Sequence, residues 1–223
     1  MNSFIRIEAE KLKSLSEGSD AMDTYFYKNE VIQDLYWNRL EKMLKIAGGA
    51  QAGSVLDLGC GQGVFLPTLS SIYPDVKGID LDISIARQIV DMYTLKNVEL
   101  FERNIFDNSF EDNSFDLIFA PSVLEHFEDQ DALFTELTRI LKPKGRIVFS
   151  SPTETLLYEL GRKVFGAVKP EDHYHSVFQI QKVARKHLKF KDKTNGPISF
   201  LPALVSVYVI YVFEKEAGEA QLS

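Results

Sequence analysis

The chain has 223 residues, 45% of them hydrophobic and 26% charged, a balance that fits one globular α/β domain with additions and a core of its own. Its formal net charge of -7 argues against a DNA or RNA binder, whose affinity comes from Lys and Arg neutralising phosphates. Cys60, the only cysteine, excludes an intrachain disulfide and a Cys-based zinc site.

Residues 1–46 read as helical and amphipathic. Their opening, MNSFIRIEAEKLKS, mixes acids among its bases and has no apolar stretch of signal-peptide length. From Gly53 short apolar runs alternate with helical patterns, the signature of a parallel sheet covered by helices. Ser54 to Leu58 is the first strand, followed by glycines and a helix to about Tyr73. Val76 to Asp80 is the second, and the helix after it puts Ile85, Ala86, Ile89, Val90 and Tyr93 on one face. Strands three and four are Val98 to Phe101 and Phe115 to Ala120, the latter apolar almost throughout, as a strand covered on both sides is. A helix from about Asp129 buries Leu133, Phe134, Leu137, Ile140 and Leu141 and stops at Pro143 and Gly145, before strand five at Arg146 to Ser150.

Residues 153–175 then break the rhythm with a helical pattern and the polar run KPEDHYH. A helix from Ser176 to Leu188 and a strand pair, near Phe190 to Ile198 and Val205 to Phe213, follow. The bases Lys182, Arg185, Lys186, Lys189 and Lys191 read as a solvated face. The longest apolar run, Phe200 to Phe213, is broken by Pro202 and falls short of the roughly 20 residues of a membrane helix. A soluble, cytoplasmic protein without a membrane span is expected. The organisation is a helical cap (1–46), a binding core (47–152), a lid insertion (153–175) and a helix with a strand pair completing the sheet (176–223).

The chemistry-bearing stretch is VLDLGCGQG, residues 55–63. A strand running into Gly59, Gly61 and Gly63 lets a ligand approach the backbone with no Cβ in the way. The following helix N-terminus offers free N–H groups to an anion, either a phosphate or a carboxylate. Asp80, 21 positions after Gly59, can accept both hydroxyls of a ribose, a feature that a dinucleotide site would share. Two details favour a cationic ligand over a pyrophosphate. The third glycine of the dinucleotide motif is replaced by Val64, and Asp57 adds an acid beside the turn.

VLDLGCGQG, GIDLD (78–82), FDLIFAPSVLEHFED (115–129) and LTRILKPKGRIVFSSP (137–152) together resemble the successive motifs of class I S-adenosylmethionine-dependent methyltransferases, over roughly residues 35–215. The group of ubiquinone-biosynthesis-type methyltransferases is the nearest in character. The resemblance implies an α/β fold, a doubly wound, mostly parallel seven-stranded Rossmann-like sheet with an antiparallel last strand. It implies S-adenosylmethionine as donor and S-adenosylhomocysteine as product. By position, Asp57, Gly59, Cys60 and Gly61 would surround the methionyl part, Asp80 the ribose and Leu81 the adenine. Asn104 stands where the family has an acid on the adenine amino group, and Ile105 would pack on the ring. Ala120 would line the sulfonium side. Arg39, in YWNR, resembles an arginine that pairs with the donor carboxylate in some relatives, or it is a solvent-facing helix residue. Cys60 reads as a small filler, Phe65 and Leu66 as core, and Asp82 as a cap on the next helix.

Methyl transfer from a sulfonium needs alignment above all, and a base only if the acceptor loses a proton. Among four histidines, His126 just beyond strand four and His173 or His175 in the lid are the candidates, while His187 reads as structural. The cap and lid are rich in aromatics (Phe4, Tyr25, Phe26, Tyr27, Tyr36, Tyr158, Phe165, Tyr174), which suits a small-molecule or lipid-like acceptor and equally an ordinary hydrophobic cover. No metal site and no nucleic acid is expected. A donor-binding module without turnover and an NAD-dependent oxidoreductase stand as the alternatives.

Overall fold

A computed structural model of the chain describes residues 4–16, 30–48, 52–153, 173–200, 202–203 and 206–217. Helices α1 (Ala9–Ser16) and α2 (Glu30–Ile46) lead into β1 (Ser54–Leu58), α3 (Leu66–Ile72), β2 (Asp75–Asp80), α4 (Ser84–Met92) and β3 (Val98–Glu102). Then come β4 (Phe115–Pro121), α5 (Gln130–Ile140), β5 (Leu141–Pro152), α6 (Val177–His187), β6 (Lys189–Gly196) and β7 (Tyr208–Glu214). Short 3-10 turns, Ile105–Asp107 and Leu124–His126, follow β3 and β4.

The seven strands form one sheet in the order β3-β2-β1-β4-β5-β7-β6. β1 to β5 pair in parallel, and β7 runs antiparallel to both β5 and β6. Because strand side chains alternate between faces, each strand feeds two cores. Val55, Val76, Leu117, Phe119 and Val148 pack with α1 to α4, whereas Leu56, Ile79, Ile118, Ala120, Ile147 and Phe149 pack with α5 and α6. That double coverage is why the strands are apolar at successive positions. Leu12 of α1 and Trp37, Leu40 and Met43 of α2 belong to the first core, so the described part of the N-terminal segment is packed against the sheet.

Among the described residues the expected strands and covering helices are present, with β7 starting at Tyr208 in place of Val205, β6 ending at Gly196 in place of Ile198, and the largest shift at the start of β5. The helical pattern expected within 153–175 lies outside the described residues. Leu141, expected in the helix, is extended (φ -72, ψ 136) and opens β5 five residues ahead of the expected Arg146. Lys142, before Pro143, is disfavoured in the helical region, which ends α5 at Ile140. Leu141 pairs with Phe115 and the register then shifts before Leu117 meets Arg146, with Lys144 at φ 64. A bulge of this kind accommodates a proline, which has no N–H for the ladder. The basic residues near α6 are paired locally: Lys186 with Asp131 at 2.9 Å and Lys191 with Glu214 at 3.1 Å. Among the described residues no helix is long and apolar enough to cross a membrane.

Candidate active site

The strand order reverses beside β1, between its neighbours β2 and β4, and the turns leaving the carboxyl ends of these strands border the crevice where α/β sheets bind ligands. Backbone dictates the glycines there. Gly59 has φ +69, and a Cβ on it would lie 2.3 Å from a Val123 methyl carbon. Gly61 has φ +48, but its Cβ would meet nothing nearer than Asp80 Oδ2 at 3.9 Å, so it faces open space. The turn keeps room exactly where a ligand would touch its backbone.

Two acids lie behind it. Asp57 is 1% exposed, its Oδ1 is buried with no partner among the described residues, and burial together with the charge of Asp80 pushes its carboxyl up to about 8. Asp80 is built into the turn: Oδ2 accepts from Gly61 N at 2.7 Å and Oδ1 from Leu81 N at 2.7 Å. A carboxylate has further lone pairs, so ribose contact remains available to it. Asp82 accepts from Ser84 N, the first amide of α4, at 2.8 Å, while the N-cap position is Ile83 and carries no side-chain cap. Cys60 is buried, and desolvation with Asp57 and Asp80 beside it pushes its thiol well above the usual range, which suits a filler and not a nucleophile.

Arg39 is half-buried. α2 packs so that its guanidinium lies 4.4 Å from the centre of the Tyr36 ring and donates to Ser122 Oγ, just past β4. Its Nε is buried without a partner among the described residues. Asp57 and Arg39 therefore leave one acidic and one basic buried atom unsatisfied at this end of the sheet. The zwitterionic methionyl group, an ammonium and a carboxylate, fits that pair chemically.

On the adenine side, Leu81 is 71% exposed, and Arg103 N donates to Asp80 O at 2.9 Å, setting the end of β3 beside it. Asn104 caps the first 3-10 turn, its Oδ1 accepting from Phe106 N at 3.0 Å, and the second lone pair of that oxygen remains for an adenine amino group. Ile105 is buried in the second core, and the aromatic face left open here is that of Phe106, 47% exposed and 5.9 Å from the Phe127 ring. Ala120 is likewise fully buried, leaving Pro121 and Ser122 as the half-buried end of β4. Sequence reading did not single out the exposed Phe106 ring, because a 3-10 turn carries no apolar periodicity.

Past β4, Glu125 is 1% exposed, accepts from Ser151 Oγ at 2.7 Å, and leaves Oε1 buried without a partner among the described residues. Burial raises its carboxyl above the usual carboxylate range, against the pull of the Ser151 hydroxyl. His126 and His173 meet edge to face with ring centres 4.8 Å apart, so the two histidines singled out in the sequence do come together. Tyr174 N donates to Glu125 O at 3.0 Å and holds the start of the α6 approach against this turn. His175 Nε2 lies 2.9 Å from Glu128 O, and His187 pairs with Asp131 at 3.1 Å and stacks on Phe134, as a structural histidine does. Tyr25, Phe26, Tyr27, Tyr158 and Phe165, expected in the acceptor pocket, lie outside the described residues, as does the lid from 154 to 172.

Comparison with known proteins bears on the same end of the sheet. The chain is similar to the ubiquinone biosynthesis O-methyltransferase of Pasteurella multocida (30% identical over 131 residues, 53% of this chain and 54% of that protein). It is also similar to the malonyl-[acyl-carrier protein] O-methyltransferase of Marinomonas sp. (29% over 166 residues, 73% and 58%). The chain thus spans little more than half the length of these curated relatives. Its fold is like that of N-methyltransferase NodS from Bradyrhizobium japonicum in complex with S-adenosyl-L-homocysteine, with a TM-score of 0.66 at 16% identity, covering 92% of this chain and 97% of that one. A family model described as a methyltransferase domain matches residues 50–193, the stretch that holds the glycine turn and both acids, and on that match the chain belongs to the class I S-adenosylmethionine-dependent methyltransferases.

Proposed function

We propose that this chain binds S-adenosylmethionine at the 59–63 turn and transfers its methyl group to a small-molecule or lipid-like acceptor. The observation that carries this reading is the buried pair of unsatisfied atoms, Asp57 Oδ1 and Arg39 Nε, at the carboxyl ends of the parallel strands. Asp57 would take the donor ammonium and Arg39 its carboxylate, while Asp80 accepts from the ribose and Leu81 and Phe106 cover the adenine. Bound there, the donor supplies an activated methyl group whose C–S electron pair stays on sulfur as the acceptor bonds to carbon, leaving S-adenosylhomocysteine.

The chain's own part is alignment, an effect that in favourable cases reaches about 7–11 kcal/mol. His126 and His173 stand on the side past β4 from which an acceptor would enter, and either can hold the proton that a hydroxyl acceptor releases. The names of the two O-methyltransferase relatives support oxygen as the methylated atom.

Calorimetric titration with S-adenosylmethionine tests the donor site. Saturable one-to-one binding is expected, weakened about tenfold to a hundredfold by Asp57→Asn, the range for a lost hydrogen bond to a charged group. No binding by the folded wild-type chain would end this reading. Appearance of S-adenosylhomocysteine with a panel of phenolic, quinol and fatty acyl acceptors then identifies the acceptor class.

A further inference from the structure

The cluster past β4 is more than a place for a base. Glu125, His126 and His173 each offer one donor atom, and those three atoms lie within 4.8 Å of one another. Glu125 is buried, its Oε1 has no partner among the described residues, and Oε2 is oriented by the Ser151 hydroxyl, the arrangement of a carboxylate whose own position is fixed by an outer neighbour. Backbone holds the cluster from both sides. The 3-10 turn Leu124–His126 fixes the adjacent acid and imidazole, and the Tyr174 N to Glu125 O bond, between residues 49 positions apart, brings His173 to them.

We propose that Glu125, His126 and His173 form a binding site for one divalent transition-metal ion, where the sequence reading expected candidate bases and no metal. The donor set selects the class of ion. Two imidazoles with one carboxylate suit Zn²⁺, Co²⁺, Ni²⁺ or Fe²⁺, whereas Mg²⁺ and Ca²⁺ prefer oxygen alone. Donor atoms bound to Zn²⁺ at about 2.0–2.1 Å sit roughly 3.4 Å apart in a tetrahedron, so an ion would draw together donors that here lie within 4.8 Å of one another. Three protein donors leave one position of a four-coordinate ion open to solvent or substrate. The lid residues 154–172 are outside the described part, so this donor count is that of the described residues.

The experiment uses the full chain freed of metal with a chelator, then titrated separately with Zn²⁺ by calorimetry and with Co²⁺ by visible absorption. One ion per chain is expected, with the absorption bands of Co²⁺ bound by nitrogen and oxygen in a low-symmetry site. His126→Ala, His173→Ala and Glu125→Gln should each weaken binding by more than the roughly tenfold expected of Ser151→Ala, whose effect is through the carboxylate alone. His175→Ala, two residues after His173 but turned to Glu128, should leave the affinity unchanged. Titration of each variant with S-adenosylhomocysteine reports folding independently of the metal. A wild-type chain that binds no ion, or a His175→Ala loss equal to that of His173→Ala, overturns the proposal. Metal binding without S-adenosylhomocysteine binding would sink the donor reading and leave this one standing.

Discussion

A carboxyl group pushed to about 8 by burial and by the neighbouring Asp80 is mostly uncharged at neutral pH. In the unfolded chain Asp57 ionises near its ordinary 3.8. Between these values the folded chain holds a proton that the unfolded chain has released, so this residue makes stability fall as pH rises from about 4 to about 8. Asp57→Asn removes that dependence. The variant should melt higher than wild type at pH 8 and by a smaller margin at pH 5, while binding the donor worse. An ammonium against the carboxyl favours the ionised form, so donor binding to wild type should release a proton below pH 8. Calorimetry in buffers of different ionisation enthalpy measures that release, and equal heats in all buffers would remove Asp57 from contact with the ammonium. The sequence located Asp57 by its spacing from the glycines. It did not reveal the protonation, which depends on how completely β1 is covered by α3 and its neighbours.

At the scale of elements, Asp80 joins two turns, because its carboxylate takes N–H groups from both Gly61 and Leu81. Asp80→Ala should therefore lose more than a ribose contact. Donor affinity falls, and the Gly61 amide, deprived of its acceptor, should exchange faster with solvent in the free protein. Asp80→Asn keeps an acceptor oxygen and should retain most of the protection, and equal exchange in both variants would refute the pinning role. The strands themselves were legible because continuous apolar runs bounded by glycine or charge have few other uses in a doubly wound sheet. The start of β5 was not, since Pro143 and Gly145 read as an end and the bulge that tolerates them depends on Phe115 of another strand. The pairing of His126 with His173 was hidden for the same reason. Its contact runs between turns far apart in sequence, and no local pattern encodes it. Arg39 was ambiguous because helical spacing does not say which way α2 would face, and packing of Trp37 and Leu40 against the sheet decides it.

Across the whole molecule, α1 and the segment before it add Ile7 and Leu12, both nearly fully buried, to the core that also contains Trp37 and Phe65. Ile5 N donates to Thr68 Oγ1 at 3.0 Å, tying this segment to α3. Removing residues 1–16 should therefore cost stability, about 3–6 kcal/mol for two buried aliphatic side chains. A thermal melt that does not move would show that the segment is a detachable cover. The same measurement reads the donor site from the opposite direction. A ligand that binds only the folded chain adds about 2.7 kcal/mol at a hundred times its Kd. In a domain of this size each kcal/mol moves Tm by roughly 2–4 °C. S-adenosylhomocysteine at that excess should thus raise the melting point by about 5–11 °C in wild type. At the same concentration a hundredfold weaker Asp57→Asn variant sits near its own Kd and should gain about 0.4 kcal/mol, a shift of only a degree or two. Equal shifts in the two proteins would mean that the ligand gains nothing from the buried carboxyl, and the methionyl group would then have to be held elsewhere.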